Sequence, residues 1–354
     1  MHLDPAEIKK ILFIKLRHIG DVLLTAPVAR ALKNAFPHAS VTALVYSGTE
    51  EMLTLNPAVD EVLVFDLGWK KLPRCRRLWA ETAFTLGLRK KGFDLVINLT
   101  EGDRGAVMAF VSGAGIKVGL DPKGQGILGK HLVYDLLYYP QDQRAHMVDQ
   151  NLDAVRALGV ADPDRKVDIL FDEKDRDYVN QRLDQLGCRR DRPLIHIHPA
   201  SRWLFKAWPA RYVAELIDHL ILNRGAEVIL TCGPADRELA YMKDIKQALH
   251  CIPIDLSGQT TLKQLAVVSS LSHLFFGVDT VAMHLAAAVG TPVVALFGPS
   301  GEFNWGPWGT GHRVIKKDWD CRPCGRDGCQ GSKKSRCLEE LTVAEVIPVL
   351  DEYL

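Results

Sequence analysis

The strongest constraint on this chain is a rhythm of short apolar runs alternating with amphipathic, helix-length segments, and it runs twice. The first half opens on Lys10-Ile-Leu-Phe-Ile-Lys-Leu16, an apolar run with β-branched residues. A turn with Gly20 follows. Then comes a helical pattern over 21–36, in which Val22, Leu23, Ala26, Ala29 and Leu32 recur at about every 3.6 residues. Pro27 can kink that helix and Pro37 stops it. Segments 41–46, 62–65, 95–98 and 116–119 read as further strands. The second half repeats the grammar, with strands over 194–198, 226–231, 273–277 and 291–297 and helices over 209–224, 235–249, 262–269 and 281–289. Strands spaced by helices imply parallel sheets covered on both faces. The 354 residues suit two such domains better than one, and 47% hydrophobic residues suffice for two cores. The segment 162–192, rich in Asp, Arg and Lys, reads as the linker region. The predicted class is therefore α/β: two doubly wound domains facing each other across a cleft, with ligands at the carboxyl ends of the strands.

A formal charge of +1 gives no polyelectrolyte signal for nucleic acid. No apolar run approaches the roughly 18 residues of a membrane span. The first residues show no basic-then-apolar leader, which points to a cytoplasmic protein. Eight cysteines do not make a disulfide scaffold of this length. Four of them cluster as Cys321, Cys324, Cys329 and Cys337. They can bind a structural metal, clip a loop by disulfides or stay reduced; their spacing is not that of paired zinc-binding motifs.

Three strand ends carry candidate chemistry. Arg17-His18-Ile19-Gly20-Asp21 follows the first strand, and Asp21 is either a helix cap or a general base. Ser201, Arg202 and Lys206 follow the strand at 194–198 on a polar loop ahead of a Pro-started helix, a setting suited to phosphate. Asp279, Thr280 and Val281 open a small-residue helix whose N-terminus can receive an anion, with His284 one turn inside. In the plain alternative Lys206 is an exposed loop lysine, Thr280 a cap and His284 a buried core histidine. Gly124-Gln-Gly126-Ile-Leu-Gly129 matches the dinucleotide fingerprint but lies late in its half, so a glycine-rich loop is the better reading. His196 and His198 share a strand face without further metal ligands nearby. Between Gly68 and Lys91, Lys70, Lys71, Arg74, Arg76 and Arg77 surround Leu72 and Leu78, flanked by Trp69 and Trp79, with Glu81 the one acid. Such a segment suits an anionic membrane face or a phosphorylated glycolipid; otherwise it is a solvated helix face.

Taken together, Lys15-Leu-Arg-His-Ile-Gly-Asp-Val22, Lys206-Ala-Trp-Pro209, Leu230-Thr-Cys-Gly-Pro234 and Gly277-Val-Asp-Thr-Val-Ala-Met-His284 resemble the ADP-heptose lipopolysaccharide heptosyltransferases of glycosyltransferase family 9. The run Phe297-Gly-Pro-Ser300 with Asn304-Trp-Gly-Pro-Trp308 is most similar to the heptosyltransferase III branch. The resemblance implies a GT-B fold, two Rossmann-like domains. Residues 1–170 would bind acceptor, and residues 171–354, with the Cys-rich loop and terminal helix, would bind donor. It implies inverting, metal-independent transfer of heptose from ADP-L-glycero-D-manno-heptose to the inner core of lipopolysaccharide, peripherally at the inner face of the inner membrane. By the same likeness Asp21 is the base and Lys206 stabilises the leaving group. Ser201, Arg202, Lys206, Asp279, Thr280, Val281, His284 and Glu238 would contact donor. Arg17, His18, Lys70, Lys71, Arg74, Arg76 and Arg77 would contact acceptor. Val281 departs from the family, which has Gly there, and Ser201-Arg202 stands where relatives often carry Thr or Gly. Rival readings are a family 9 transferase with another sugar or acceptor, a non-catalytic nucleotide-binding partner in envelope assembly, and a nicotinamide oxidoreductase resting on Gly124–Gly129.

Overall fold

The computed structural model describes residues 4–354, and the chain divides into two compact units that meet in sequence at Leu170 and Phe171. The first unit contains β1 (Lys10–Lys15), α1 (Ile19–Leu23), α2 (Ala26–Ala35), β2 (Ser40–Tyr46), β3 (Glu61–Phe65), α3 (Arg74–Lys90), β4 (Leu95–Asn98), α4 (Asp103–Val111), β5 (Ile116–Leu120), β6 (Leu136–Tyr138) and α5 (Met147–Arg156). The second contains α6 (Glu173–Gln185), β7 (Leu194–His198), α7 (Ala210–Asp218), β8 (Glu227–Leu230), α8 (Asp236–Ala248), β9 (Ile254–Asp255), α9 (Leu262–Leu271), β10 (Leu274–Val278), α10 (Val281–Ala288), β11 (Val293–Leu296), α11 (Glu302–Trp305), β12 (Arg313–Ile315), α12 (Arg336–Glu339) and α13 (Val343–Asp351).

Each unit holds one six-stranded sheet with every pair parallel, ordered β3-β2-β1-β4-β5-β6 in the first and β12-β11-β10-β7-β8-β9 in the second. Counted from its own first strand, each sheet has the same doubly wound order. In such a sheet the connections diverge between the first and fourth strands, and that switch point opens a crevice at their carboxyl ends. The crevices lie beyond β1 and β4 in one unit and beyond β7 and β10 in the other.

The central strands are apolar on both faces because helices cover both. Leu12, Ile14, Val96, Phe65 and Leu88 pack with Ala106 and Met108 under α3 and α4, while α2 and α5 pack together on the opposite side. In the second unit Ile195, Ile197, Phe276 and Leu296 meet α7 and the C-terminal Val346 and Leu350 of α13. Trp208 anchors that core, and its Nε1 donates to the Leu341 carbonyl at 2.8 Å.

Three sequence expectations change. The helix expected over 21–36 is two helices, broken at Leu24 and Thr25, because Pro27 belongs in the first turn of α2, where its missing N–H is not needed. The segment 162–192 is not linker throughout: α6 lies within it, and Val179 and Leu183 pack against Val267 and Val268 of α9. The edge strands β6, β9 and β12, of 3, 2 and 3 residues, have no counterpart among the expected strands, being too short for an alternating pattern to show.

Candidate active site

At the first switch point, β1 delivers Arg17 and His18 to the surface and starts α1. His18 occupies the cap position and Asp21 is the third residue of α1, so the capping reading of Asp21 does not hold. Asp21 is 7% exposed. Its partner is Arg17, whose Nε lies 3.7 Å from Oδ1, too long for a hydrogen bond. The Leu16 N–H donates to Thr100 Oγ1 at 2.9 Å, which fastens the exit of β1 to the exit of β4. Sequence reasoning missed two cations here. Arg104, in the first turn of α4, donates from Nη1 to the Tyr46 hydroxyl at 2.9 Å and lies over the Phe65 ring at 4.8 Å. Lys15 is buried at the end of β1. A lysine closing an apolar strand was the only signal for it.

At the second switch point, Gly277 of β10 lies opposite His198 of β7, and a Cβ there would sit 2.7 Å from the His198 carbonyl oxygen. The two strands can therefore end side by side only with glycine at this position. Beyond them, Lys206 Nζ donates to Asp279 Oδ2 at 2.5 Å, joining the loop after β7 to the loop after β10. Lys206 also lies 5.2 Å from the centre of the Trp203 ring, and the exposed Arg202 stacks on the same ring at 5.5 Å. Ser201 is buried, and its Oγ accepts from the Trp203 N–H at 3.4 Å. Thr280 holds the cap position of α10 with extended backbone, yet its hydroxyl makes no capping bond. Val281 is the first helical residue, and His284 is buried one turn in. The leading amides of α10, with the positive end of its dipole, thus accompany Lys206 and Ser201 at one crevice. Glu238 is buried in the first turn of α8 beside the β8 exit, and its Oε2 accepts from the Gly233 N–H at 3.0 Å. The arrangement offers an ammonium, hydroxyls and helix amides to a diphosphate.

The basic segment divides. Lys70 and Lys71 end a 3-10 turn after β3, and Arg74, Arg76 and Arg77 start α3. Arg77 is held by Glu81 at 2.9 Å, whereas Arg74 and Arg76 are exposed. Trp69 is not part of that surface: it packs on Phe65 and Phe84 at 4.9 and 5.7 Å. Trp79 is 74% exposed, and Leu78 and Leu86 are exposed beside it. Among the described residues, no helix is long and apolar enough to cross a membrane.

His196 and His198 are core residues of the strand that leads to this crevice. His196 Nε2 and His198 Nδ1 both lie 2.8 Å from Thr231 Oγ1, and His196 Nδ1 lies 2.9 Å from Ser269 Oγ. Burial pushes both rings below the usual 6.5, His198 to about 4. The folded state therefore binds fewer protons than the unfolded state between those values, so stability falls as pH drops from 6.5 towards 4. His198 alone accounts for about 3 kcal/mol of that loss. Urea unfolding of wild type and His198→Gln across this window is expected to show a flatter pH dependence in the variant; equal slopes would refute it.

Two other motifs resolve. Gly124, Gly126 and Gly129 have φ of 77°, 88° and 76° in a loop after β5 that leads into a 3-10 turn at Lys130–Val133, not a helix. This is a glycine-rich loop and not a dinucleotide fingerprint, which removes the residues on which an oxidoreductase reading rested. The metal alternative for Cys321, Cys324, Cys329 and Cys337 is not supported. Among the described residues, no three His, Cys, Asp or Glu side chains are grouped to hold a metal ion. Cys321 and Cys324 are exposed while Cys337 is buried in α12, and all four are free thiols.

The sequence matches Glycosyltransferase family 9 (heptosyltransferase) over residues 82–334. It is 31% identical to lipopolysaccharide heptosyltransferase 3 of Escherichia coli K12, over 83% of this chain and 83% of that protein. The fold is similar to the crystal structure of the family 9 glycosyl transferase from Veillonella parvula, with a TM-score of 0.85 at 24% identity over 100% of this chain and 98% of that one. It is also similar to E. coli ADP-heptose lps heptosyltransferase II, with a TM-score of 0.76 at 22% identity over 97% and 98%. These likenesses span both units and agree with the two-sheet GT-B architecture.

Proposed function

Because the chain belongs to glycosyltransferase family 9, we propose that it transfers heptose from ADP-L-glycero-D-manno-heptose to the inner core of lipopolysaccharide, with inversion at the anomeric carbon. The second unit binds the donor. Its diphosphate meets Lys206, Ser201 and the leading amides of α10, with Arg202, Val281 and His284 lining the same ligand and Glu238 accepting from the ribose. Asp279 keeps Lys206 aimed at that point. The first unit binds the acceptor through Arg17, His18 and the basic segment. Asp21 takes the proton of the attacking hydroxyl. The oxygen bonds to the anomeric carbon as the bond to the diphosphate breaks on the opposite face, through an oxocarbenium-like transition state of the kind glycosidases stabilise. The charge gathered on ADP is met by Lys206 and the fixed amide dipoles. The observation that carries the reading is the Lys206–Asp279 pair at the carboxyl ends of β7 and β10, where doubly wound folds bind ligands. The test is incubation with ADP-heptose and defined core acceptors, followed by linkage analysis. An inverted heptoside with ADP released is expected; donor binding without transfer, or a retained configuration, would overturn it.

The acceptor chemistry extends this to the cytoplasmic, anionic surface of the inner membrane. Supporting it is the outward stripe of Leu78, Trp79 and Leu86 on α3, flanked by exposed Arg74 and Arg76. Each basic residue at an anionic surface is worth about 1 kcal/mol, so reversing Arg74, Arg76 and Arg77 to Glu is expected to weaken vesicle binding by at least ~100-fold. Flotation with vesicles of mixed anionic lipid measures it. Undiminished binding, together with unchanged acceptor KM, would make this a merely solvated face.

A further inference from the structure

Lys15 is 3% exposed, in a strand whose other inward residues are apolar. Strand alternation sends Leu12, Ile14 and Leu16 towards α3 and α4, so Lys15 points to the opposite side, under α1, α2 and α5. There Nζ donates to the Leu99 carbonyl at 3.1 Å, beyond β4, and to Asn151 Oδ1 of α5 at 2.9 Å. Asn151 in turn donates from Nδ2 to the Leu24 carbonyl at 3.2 Å. Leu24 closes α1, the helix of Asp21, and its carbonyl is one that a helix end leaves without an internal partner. One ammonium thus ties the β4 exit, α5 and the end of α1 together. Among the described residues no carboxylate lies within ion-pair distance of Lys15. Burying a cation without such a partner costs several kcal/mol. Its bonds come from a charged donor and hold these three pieces more firmly than those of a neutral amide would.

We propose that Lys15 is the positioning residue of the base: through Asn151 it fixes the helix that carries Asp21. The proposal rests on Asp21 being the base. Asp21 lies three residues before Leu24, so the turn that Asn151 holds is the turn that aims the carboxylate. Burial pulls the Lys15 pKa below 10.5, and Asp21 is foremost among the charges that pull it back, with Glu101 behind it.

The test is steady-state kinetics with ADP-heptose and a soluble, lipid-free core acceptor. Lys15→Met is expected to lower kcat at least ~10-fold while acceptor KM and ADP affinity stay at their wild-type values. Asn151→Ala, which cuts the link from Lys15 to the Leu24 carbonyl, is expected to lower kcat in the same way, and the double variant is expected to lose little more than either single one. Should Lys15→Met fail to fold, Asn151→Ala carries the test. Wild-type kcat in folded Lys15→Met or in Asn151→Ala, or a loss that falls on acceptor KM or ADP affinity alone, overturns the proposal. Asp21→Asn is assayed alongside. If it is inactive while Lys15→Met or Asn151→Ala keeps wild-type kcat, only the role of Lys15 fails; if Asp21→Asn keeps wild-type rate, the base assignment and this proposal fall together.

Discussion

Replacing Asp21 with alanine is expected to cut turnover by about 10²- to 10⁴-fold, the usual contribution of a positioned base, while ADP binding stays at its wild-type affinity. The separation follows from placement. Asp21 lies at the end of β1, whereas the groups proposed to bind diphosphate lie at the ends of β7 and β10. The fold is expected to survive, its main cost falling on buried Lys15, whose charge Asp21 helps to offset. Asp21 caps no helix, and its partner Arg17 is an exposed side chain at 3.7 Å, a pair worth about 1 kcal/mol or less. Calorimetric titration with ADP and an ADP-release assay read the two effects separately. Transfer near the wild-type rate by a folded Asp21→Ala protein would remove Asp21 as base.

Lys206→Ala is expected to damage binding and chemistry together. A hydrogen bond from a charged donor is worth about 1.5–3 kcal/mol, which predicts ADP binding weakened by roughly 10- to 100-fold. The leaving diphosphate carries more charge in the transition state than in the donor, so kcat should fall by a further ~10²-fold. Part of this loss belongs to Asp279, which lies 2.5 Å from Lys206 Nζ and would be left as a poorly solvated anion facing the phosphates. Asp279→Asn added to Lys206→Ala is therefore expected to restore some ADP affinity but not the rate. Unchanged ADP affinity and rate in Lys206→Ala would contradict the phosphate role, and no recovery in the double variant would limit Asp279 to holding the loop.

The sites were legible to different degrees for a physical reason. Asp21, Ser201, Lys206, Asp279 and His284 stand out in sequence because each follows a recognisable strand, and the ends of strands are where a doubly wound sheet exposes polar groups. The pairing of Lys206 with Asp279 was not legible: 73 positions separate them, and only the adjacency of β7 and β10 in the sheet brings their loops together. Trp69 and Trp79 read alike in a basic stretch, yet one packs on Phe65 and the other faces water, because Trp69 sits in the 3-10 turn that folds back after β3 and Trp79 lies on the outer face of α3. The four late cysteines read as a possible metal set because they cluster in the chain, but the packing of α12 buries Cys337 and leaves Cys321 and Cys324 at the surface.

Local sequence by itself determined the alternation of strands and helices, the two-domain plan and the strand ends that carry the candidate side chains, because periodicity and turn residues act over a few positions of chain. Tertiary structure alone decided the strand order, the break between α1 and α2, and the burial of Lys15 against Leu99 and Asn151. Those outcomes depend on contacts between residues 84 and 136 positions apart, whose free energy exists only once the sheet and both helical layers have closed around them.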